Sequence, residues 1–173
     1  ETLNQYGRFE QGDLVAVKGE VTSFEDEKQI NINKIEKIQL DLLGDLGEYV
    51  RAAPHDIGAM RTELLEFIKE IRTPHLTKLL ELLFDQSFLL KFQNSAAAVS
   101  FHHPYKGGLI EHTLSVARSS RFIADRYRNI NKDVLITGAL IHDVGKVYEY
   151  STKHIIEQTD QGKLLGHIAI GYS

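Results

Sequence analysis

His142 and the adjacent Asp143 are the residues of this chain best suited to holding a metal ion. An imidazole offers a nitrogen ligand, and a carboxylate beside it offers oxygens that can bridge two divalent ions. The pair ends the apolar run at residues 139–141, where a charged aspartate is costly to bury without a partner or an ion. The conflict between the charged group and its apolar surroundings therefore indicates a metal site.

Two further histidines can complete the ligand set. His112 lies 30 positions before His142, near the inward face of a predicted long helix, and His167 follows Gly166 at the start of the last predicted helical segment. A single histidine on an apolar face is more often a core residue bonded to a carbonyl, and a Gly-His pair can simply cap a helix. The interpretation as a metal site therefore depends on the whole set, which a packed helical domain can bring together.

The donor types restrict the metal and suggest a reaction. Three imidazoles and one carboxylate favour manganese, with iron, cobalt or nickel as alternatives, over magnesium and calcium, which prefer oxygen ligands. One or two such ions can turn a bound water into a hydroxide near neutral pH, which is a nucleophile for hydrolysis. Asp143 is then a catalytic bridge as well as a ligand. Lys146 can contact a phosphate or orient the water, with a plain exposed lysine as the alternative.

A loop rich in histidine leads into the helix that carries His112. It contains four candidate substrate-binding residues: His102, His103, Tyr105 and Lys106. His103 and Lys106 can meet a phosphate or the leaving group, and Tyr105 can stack on a base. The alternatives are a solvated loop for the two polar residues and packing for the tyrosine, which follows a proline.

The composition is that of an ordinary soluble globular chain. Of its 173 residues, 42% are hydrophobic and 25% are charged. The net charge of -4 gives no overall attraction to nucleic acid, although a local basic groove can still meet a phosphate. The absence of cysteine excludes thiolate metal sites in this chain and agrees with a cytoplasmic protein. No apolar run is long enough to span a membrane, so no membrane partner is expected.

The period of the apolar residues predicts a mainly α fold preceded by a small β element. Alternation of apolar and polar residues indicates a β-hairpin over residues 14–38. Thr73 and Pro74 should end the first helix, and Asn131 is the predicted N-cap of a later one. The period becomes helical from residue 57 onward, with predicted helices at residues 57–71, 76–83, 84–92, 109–127 and 132–142.

Two finer predictions concern the second half of the chain. A small hairpin is expected around the turn-like residues 159–162. Four apolar residues of the long helix at 109–127 should face inward: Leu114, Ala117, Phe122 and Ile123.

The metal-site residues also carry a family resemblance. His112, the pair His142 and Asp143, and the following Gly145 and Lys146 resemble the HD superfamily of metal-dependent phosphohydrolases. The segments at 101–116 and 159–168 are similar to the YhaM-type 3′-to-5′ exoribonucleases, which place an OB-fold before a helical HD domain. Residues 13–21 with 29–32 resemble the last strands of that OB-fold.

The resemblance implies a domain organisation. Residues 1–42 would be a partial OB-fold-like element, residues 43–56 a linker, and residues 57–173 a helical HD-type domain. The family carries further metal ligands downstream, ending in an aspartate, and no aspartate follows His167 here. We therefore expect the helical domain to be incomplete at its C-terminal end.

The implied activity is removal of nucleoside monophosphates from the 3′ end of single-stranded RNA, or of single-stranded DNA, with a divalent metal. Two other functions stay open. One is hydrolysis of small nucleotides, which the OB-like hairpin disfavours. The other is a non-catalytic RNA-binding module, which the joint presence of His112, His142, Asp143 and Lys146 disfavours. Assays on nucleotides beside oligonucleotides, together with metal analysis, discriminate among them.

Overall fold

A computed structural model of the chain describes residue 9 and residues 13–38, 53–99, 103–151 and 156–173. The chain divides into two compact units, Glu1–Glu48 and Tyr49–Ser173. Most of the predicted linker, residues 43–52, lies outside the described residues. No described helix combines the length and the apolar character needed to cross a membrane.

The first unit contains an antiparallel β-hairpin, as predicted for residues 14–38. Strand β1 spans Val15–Phe24 and strand β2 spans Glu27–Lys37. Glu25 and Asp26 connect them with φ angles of 49° and 63°. Two successive residues with positive φ match the twist of a two-residue hairpin turn, although neither residue is a glycine.

The apolar side chains of this hairpin are exposed. Val21 is 70% exposed and its cross-strand partner Ile30 is 58% exposed. Val17 and Ile32 on the same two strands are also exposed. The hairpin has no core of its own among the described residues, and its assignment to an OB-fold stays a prediction.

The second unit is helical, which confirms the mainly α fold class. Two short strands, β3 (Tyr150–Ser151) and β4 (Glu157–Gln158), form a small antiparallel pair late in the chain. The helices are α1 (Ile57–Glu70), α2 (Pro74–Leu83), α3 (Gln86–Asn94), α4 (Gly108–Arg126), α5 (Lys132–Ile141), the single turn α6 (Lys146–Glu149) and α7 (Asp160–Tyr172).

Local signals in the sequence set several of these helix ends. Asp56 caps α1, because its carboxylate accepts hydrogen bonds from the backbone N–H groups of Gly58 and Ala59. Pro74 takes the first position of α2, where its missing N–H costs nothing. Asn131 caps α5 by accepting from the N–H of Val134, as predicted.

Helices α1 to α5 enclose one apolar core with α4 at its centre. Leu109, Ile110 and Leu114 of α4 are fully buried. Leu140 of α5 reaches the same core, which ties the two helices together. The other large side chains with almost no exposure are Leu64, Phe67, Leu80, Phe92 and Ile136. This core fixes the directions of α4 and α5.

The predicted hairpin around residues 159–162 is wrong. Thr159 instead caps α7, since its hydroxyl accepts from the N–H of Gly162. Strand β4 pairs with β3, which precedes it in the chain. The sequence Thr-Asp-Gln-Gly has the composition of a turn, but it forms the first turn of a helix because the threonine supplies the cap.

Part of the predicted inward face of α4 is also wrong. Leu114 and Ala117 are buried as expected, but Phe122 is 75% exposed and Ile123 is 42% exposed. The buried face continues instead through the small residues Ser120 and Ala124. The last part of α4 therefore packs closely through small side chains and turns its larger ones to solvent.

Candidate metal centre

His112 stands one turn into α4, on a start that two glycines make possible. Gly107 has a φ of 86°, a left-handed conformation that favours glycine. A β-carbon on Gly108 would lie 2.1 Å from the carbonyl oxygen of His103, so only glycine permits this approach. The loop carrying His103 is thereby held against the beginning of α4, beside His112.

His142 and Asp143 follow directly from the end of α5. Asp143 is 5% exposed, so its carboxylate is buried as the sequence suggested. Its neighbour His142 is more accessible and hydrogen-bonds through Nδ1 to the carbonyl of Ala139 at 2.8 Å. A carbonyl can only accept, so Nδ1 carries the proton and Nε2 of the neutral ring presents a lone pair.

The side chains of His112, His142 and Asp143 converge. Both imidazole Nε2 atoms approach Oδ2 of Asp143, at 3.5 Å for His112 and 3.2 Å for His142. The two Nε2 atoms are 3.3 Å apart. One donor atom from each residue lies within 4.8 Å of the others, the closeness that shared ligands of one ion require. The structure thus shows the convergence we predicted, while the ligand roles stay a prediction.

His167 reaches the other oxygen of the same carboxylate. Its Nε2 lies 3.4 Å from Asp143 Oδ1, and its Nδ1 lies 2.9 Å from Oε2 of Glu149. Helix α7 bends at Gly166, whose φ of 69° lies in the left-handed region, and this bend separates His167 from the first half of the helix. The four predicted ligands therefore meet at one place, with two imidazoles on one oxygen of Asp143 and the third on the other.

Glu149 is the residue of this site that the sequence did not reveal. It is 4% exposed, and its Oε1 accepts a hydrogen bond from Gln158 at 3.3 Å. Its Oε2 is buried and makes no aligned hydrogen bond among the described residues, although His167 lies close. The sequence offered one signal for Glu149, an acidic residue three positions after Lys146. This signal is weak because a helix as short as α6 shows no apolar period.

The donor set fits a divalent cation. Imidazole nitrogens and carboxylate oxygens face one another across a small space, and His142 presents a lone pair toward Asp143. Lone pairs directed at one another are unfavourable unless a proton or a cation lies between them. The buried Glu149 oxygen adds further negative charge near His167. This arrangement therefore suits a divalent cation with mixed nitrogen and oxygen ligands.

The electrostatics of the site favour an ionised Asp143. Burial raises the pKa of its carboxyl, but hydrogen bonds from the protonated form of His142 and from Lys146 outweigh burial and hold the pKa well below its usual range. Burial lowers the pKa of His112, which favours the neutral imidazole that a metal binds. The hydrogen bond with Asp143 raises the pKa of His142, so protons compete with a metal there at lower pH.

Lys146 points into this site. Its ammonium lies 2.8 Å from Asp143 Oδ2, and its side chain is 15% exposed. This geometry contradicts the alternative that Lys146 is a plain exposed lysine. One positive charge therefore partly balances the carboxylate of Asp143.

Two of the predicted substrate-binding residues, His103 and Tyr105, lie in different surroundings. The His103 ring lies 6.1 Å from the His112 ring, and its Nδ1 forms a short hydrogen bond with the Tyr105 hydroxyl. That hydroxyl donates to Glu111 at 2.9 Å, and Tyr105 is buried, which favours packing over base stacking. His103 has a φ of 64°, a strained conformation that is often retained at functional sites.

Two other loop predictions have different outcomes. The carbonyl of Lys106 accepts a hydrogen bond from the N–H of Ala53, and the residue is partly exposed, so its side chain stays a candidate for phosphate. His102 lies outside the described residues.

Comparison with known proteins supports the class of domain that this geometry suggests. Residues 109–173, which include His112, His142, Asp143 and His167, match the family described as HD domain. This match agrees with the resemblance seen in the sequence: the segment is similar to an HD domain.

The similarity extends to particular relatives. The chain is 33% identical over 162 residues to the 3'-5' exoribonuclease YhaM of Shouchella clausii, covering 91% of this chain and 49% of that protein. The YhaM exoribonucleases of Listeria monocytogenes and Listeria innocua are 29% and 30% identical, again over 91% of this chain and 50% of theirs. The chain thus spans about half the length of these curated relatives. No solved structure matches it significantly.

Proposed function

We propose that the protein is a metal-dependent phosphodiesterase that removes nucleoside monophosphates from the 3′ end of single-stranded RNA. The observation that carries this proposal is the convergence of three imidazole Nε2 atoms on the two oxygens of the buried Asp143. Such a cluster suits a divalent cation, and the HD domain match supports a hydrolase. Single-stranded DNA is the second substrate to test.

Each residue at the site has a proposed part. His112, His142, Asp143 and His167 would hold one or two divalent ions, manganese before iron, cobalt or nickel. Bound there, the metal would supply a hydroxide at neutral pH and neutralise charge on the phosphoryl oxygens. Lys146, 2.8 Å from Asp143, binds a phosphate oxygen or orients the attacking water.

His103 and Lys106 contribute from the loop before α4. The tyrosine hydroxyl and the carboxylate behind it hold the His103 ring beside His112, which positions it to meet the scissile phosphate. Lys106 and His102, from the same stretch of sequence, are further candidates for phosphate contact. We infer from its burial that Tyr105 positions His103 and does not itself stack on a base.

The preference for RNA and the direction of cleavage are supported by similarity. The relatives are named 3'-5' exoribonucleases, and the match covers nine-tenths of this chain. Hydrolysis on the 3′-oxygen side of the terminal linkage would leave the phosphate on the released unit. A single-strand preference agrees with an active site that must grip unpaired nucleotides.

The test is incubation of a 5′-labelled single-stranded RNA with the protein and Mn²⁺. We expect a ladder of progressively shorter labelled products, and the same ladder to be absent with a chelator. Immediate release of labelled mononucleotide would contradict the direction. Hydrolysis of free nucleotides alone would favour the small-nucleotide phosphohydrolase, and binding without cleavage would favour the RNA-binding module.

A further inference from the structure

We propose that the groove between α3 and the segment formed by α6 and β3 binds single-stranded RNA beside the metal centre. This groove, which we call the Lys91–Tyr148 groove, is a cavity of about 420 Å³. Its lining includes Lys91, Asn94, Tyr148, Tyr150 and Ser151. The inference rests on the proposed function, because it assigns the surface along which the substrate strand lies.

The charge of this groove distinguishes it from other cavities in the described part of the chain. A larger one is lined by Glu66, Glu70 and Asp133 together with basic residues, and another by Asp56, Glu63 and Glu111. The Lys91–Tyr148 groove is lined by a lysine and no carboxylate. In a chain with a net charge of -4, the lining of this groove offers a polyanion one positive charge and no repelling carboxylate.

The groove also offers the chemistry that unpaired nucleotides need. Tyr148 is 44% exposed, and the Lys91 ammonium lies 5.5 Å from the centre of its ring. Lys91 is exposed and makes no ion pair with any residue that the structure describes. An exposed aromatic ring stacks on any base, and a lysine without a carboxylate partner can contact the phosphate beside it.

One short segment joins the groove to the metal centre. Lys146 and Glu149 direct their side chains into the site, while Tyr148 and Tyr150 line the groove. Residues 146–150 therefore contribute to both places, and a strand in the groove contacts the segment that carries Lys146 and Glu149.

The test measures RNA affinity separately from cleavage. The full chain is titrated into a fluorescein-labelled single-stranded RNA in the presence of a chelator, and Kd is obtained from fluorescence anisotropy. Tyr148→Leu should raise Kd by about tenfold, the loss expected when one base stack is removed, and Tyr148→Phe should stay near the parent value. Tyr127→Leu is the matched control, because Tyr127 is a 56% exposed tyrosine elsewhere on the helical unit.

A second variant probes the phosphate contact. Lys91→Gln should reduce the slope of log Kd against log salt by about 0.7, the value for one phosphate contact on a single strand. Lys78→Gln, a change at another exposed lysine, should leave the slope unchanged. Because Lys91 is exposed, this variant keeps its fold even if Tyr148→Leu does not.

The outcomes separate this proposal from the proposed function. Equal Kd values for Tyr148→Leu and Tyr127→Leu, with an unchanged salt slope in Lys91→Gln, overturn the groove. A chain that binds RNA through the groove but cleaves nothing overturns the phosphodiesterase and leaves the groove standing. Hydrolysis of a small chromogenic phosphodiester should be unaffected by the Lys91 and Tyr148 changes, whereas a parallel loss there would show that they disturb the metal centre instead.

Discussion

The metal centre lies between two groups of elements that different contacts stabilise. The first wall consists of helices α4 and α5, which carry His112, His142 and Asp143 and are fixed by fully buried side chains such as Leu114 and Leu140. The second wall is the segment from α6 through α7, which carries Lys146, Glu149 and His167 and exposes large apolar side chains such as Leu164 and Ile168, which are 82% and 77% exposed.

Polar and close backbone contacts hold the second wall, together with the buried Ile170 and with Val147, which packs against the core. The Thr159 hydroxyl donates to the carbonyl of Tyr148 at 2.8 Å, and the N–H of Thr159 bonds to the carbonyl of Glu149 at 2.9 Å. Gly145 lies so near the carbonyl of His167 that a β-carbon there would be 2.0 Å away.

The energies of these contacts rank the two walls. Full burial of a large apolar side chain contributes about 1.5–3 kcal/mol, whereas a typical hydrogen bond contributes about 0.5–1.5 kcal/mol. The wall with His112, His142 and Asp143 is therefore the firmer one, and the position of His167 is the more easily displaced. The metal centre joins a rigid half to a half that is secured by a few specific contacts.

Asp143 is where the two walls meet, so its loss should have the largest effect. Asp143→Ala should reduce phosphodiester hydrolysis by at least about a hundredfold, because it removes the group between the imidazoles of both walls. The measurement is cleavage of labelled RNA with Mn²⁺, with circular dichroism as the control for folding. A variant that folds and keeps a tenth of the parent rate would falsify the bridging role.

A substitution at Gly145 tests how much the close contact there stabilises the second wall. Gly145→Ala should destabilise the chain by about 1–3 kcal/mol, because a backbone carbonyl and the N–H of Gly171 stand in the way of the new methyl group. Gly138→Ala is the matched control on α5, since a β-carbon there meets nothing within 4 Å. It should stabilise by up to about 1 kcal/mol.

Urea denaturation measures both free energies of unfolding. If Gly145→Ala is as stable as the parent, the close contact at Gly145 does not hold the second wall. Weaker Mn²⁺ binding in Gly145→Ala, with unchanged binding in Gly138→Ala, would show that this contact also positions the metal ligands.

Glu149 tests whether the second wall acts through His167. Glu149→Gln keeps the size of the side chain and removes its charge, so the affinity for Mn²⁺ should fall by about tenfold. The change is measured by titration with Mn²⁺, and thermal unfolding without metal shows whether the fold is retained. Gln158→Ala removes the hydrogen bond behind Glu149 and should give a smaller shift in the same direction. An unchanged affinity in Glu149→Gln would remove Glu149 from the site.

The smallest effect is expected at a polar contact of the first wall. Asp133 of α5 accepts hydrogen bonds from the hydroxyl and N–H of Thr73 and from the N–H of Arg72. The Thr73 hydroxyl, ahead of the other contacts, lowers the pKa of Asp133. A lowered pKa in the folded state gives stability that is present above the unfolded pKa of about 3.9 and is lost as pH falls through the folded value.

Asp133→Asn should therefore cost under about 1 kcal/mol at pH 7, because solvent screens this contact, and the difference from the parent should vanish in acid. Urea denaturation across pH 7 to 3 measures it. Asp125→Asn, with the same change in net charge, is the control. A difference that grows as pH falls would contradict the assigned sign.

The sequence predicted the firm wall better than the other. The apolar period placed α1 to α5 closely, and the pairing of His142 with Asp143 at the end of an apolar run indicated a buried charge. Short-range signals such as Pro74 and Asn131 located helix ends because each depends on a single residue and its neighbours. The buried face of a helix follows from the spacing of its apolar residues, so a local sequence pattern predicts it.

The second wall was harder to predict because its contacts depend on other parts of the chain. The residues at 159–162 have the composition of a turn, and nothing local showed that the Thr159 hydroxyl would cap a helix. Glu149 is buried by β4 and α7, which lie after it in the chain. No periodic pattern around Glu149 therefore indicates its role. One error fell on the first wall: Phe122 and Ile123 were misplaced because α4 buries small residues where larger ones were expected to point inward.

The metal centre is tested most directly by the binding of Mn²⁺, measured by electron paramagnetic resonance on the parent chain and on His112→Ala and Asp143→Ala. We expect one or two bound ions per chain in the parent, and loss of this binding in both variants while circular dichroism shows that they remain folded. The control Tyr127→Leu, a change at a distant exposed side chain, should bind as the parent does. Equal Mn²⁺ affinity in the parent, His112→Ala and Asp143→Ala would contradict the assignment of this cluster as the metal centre.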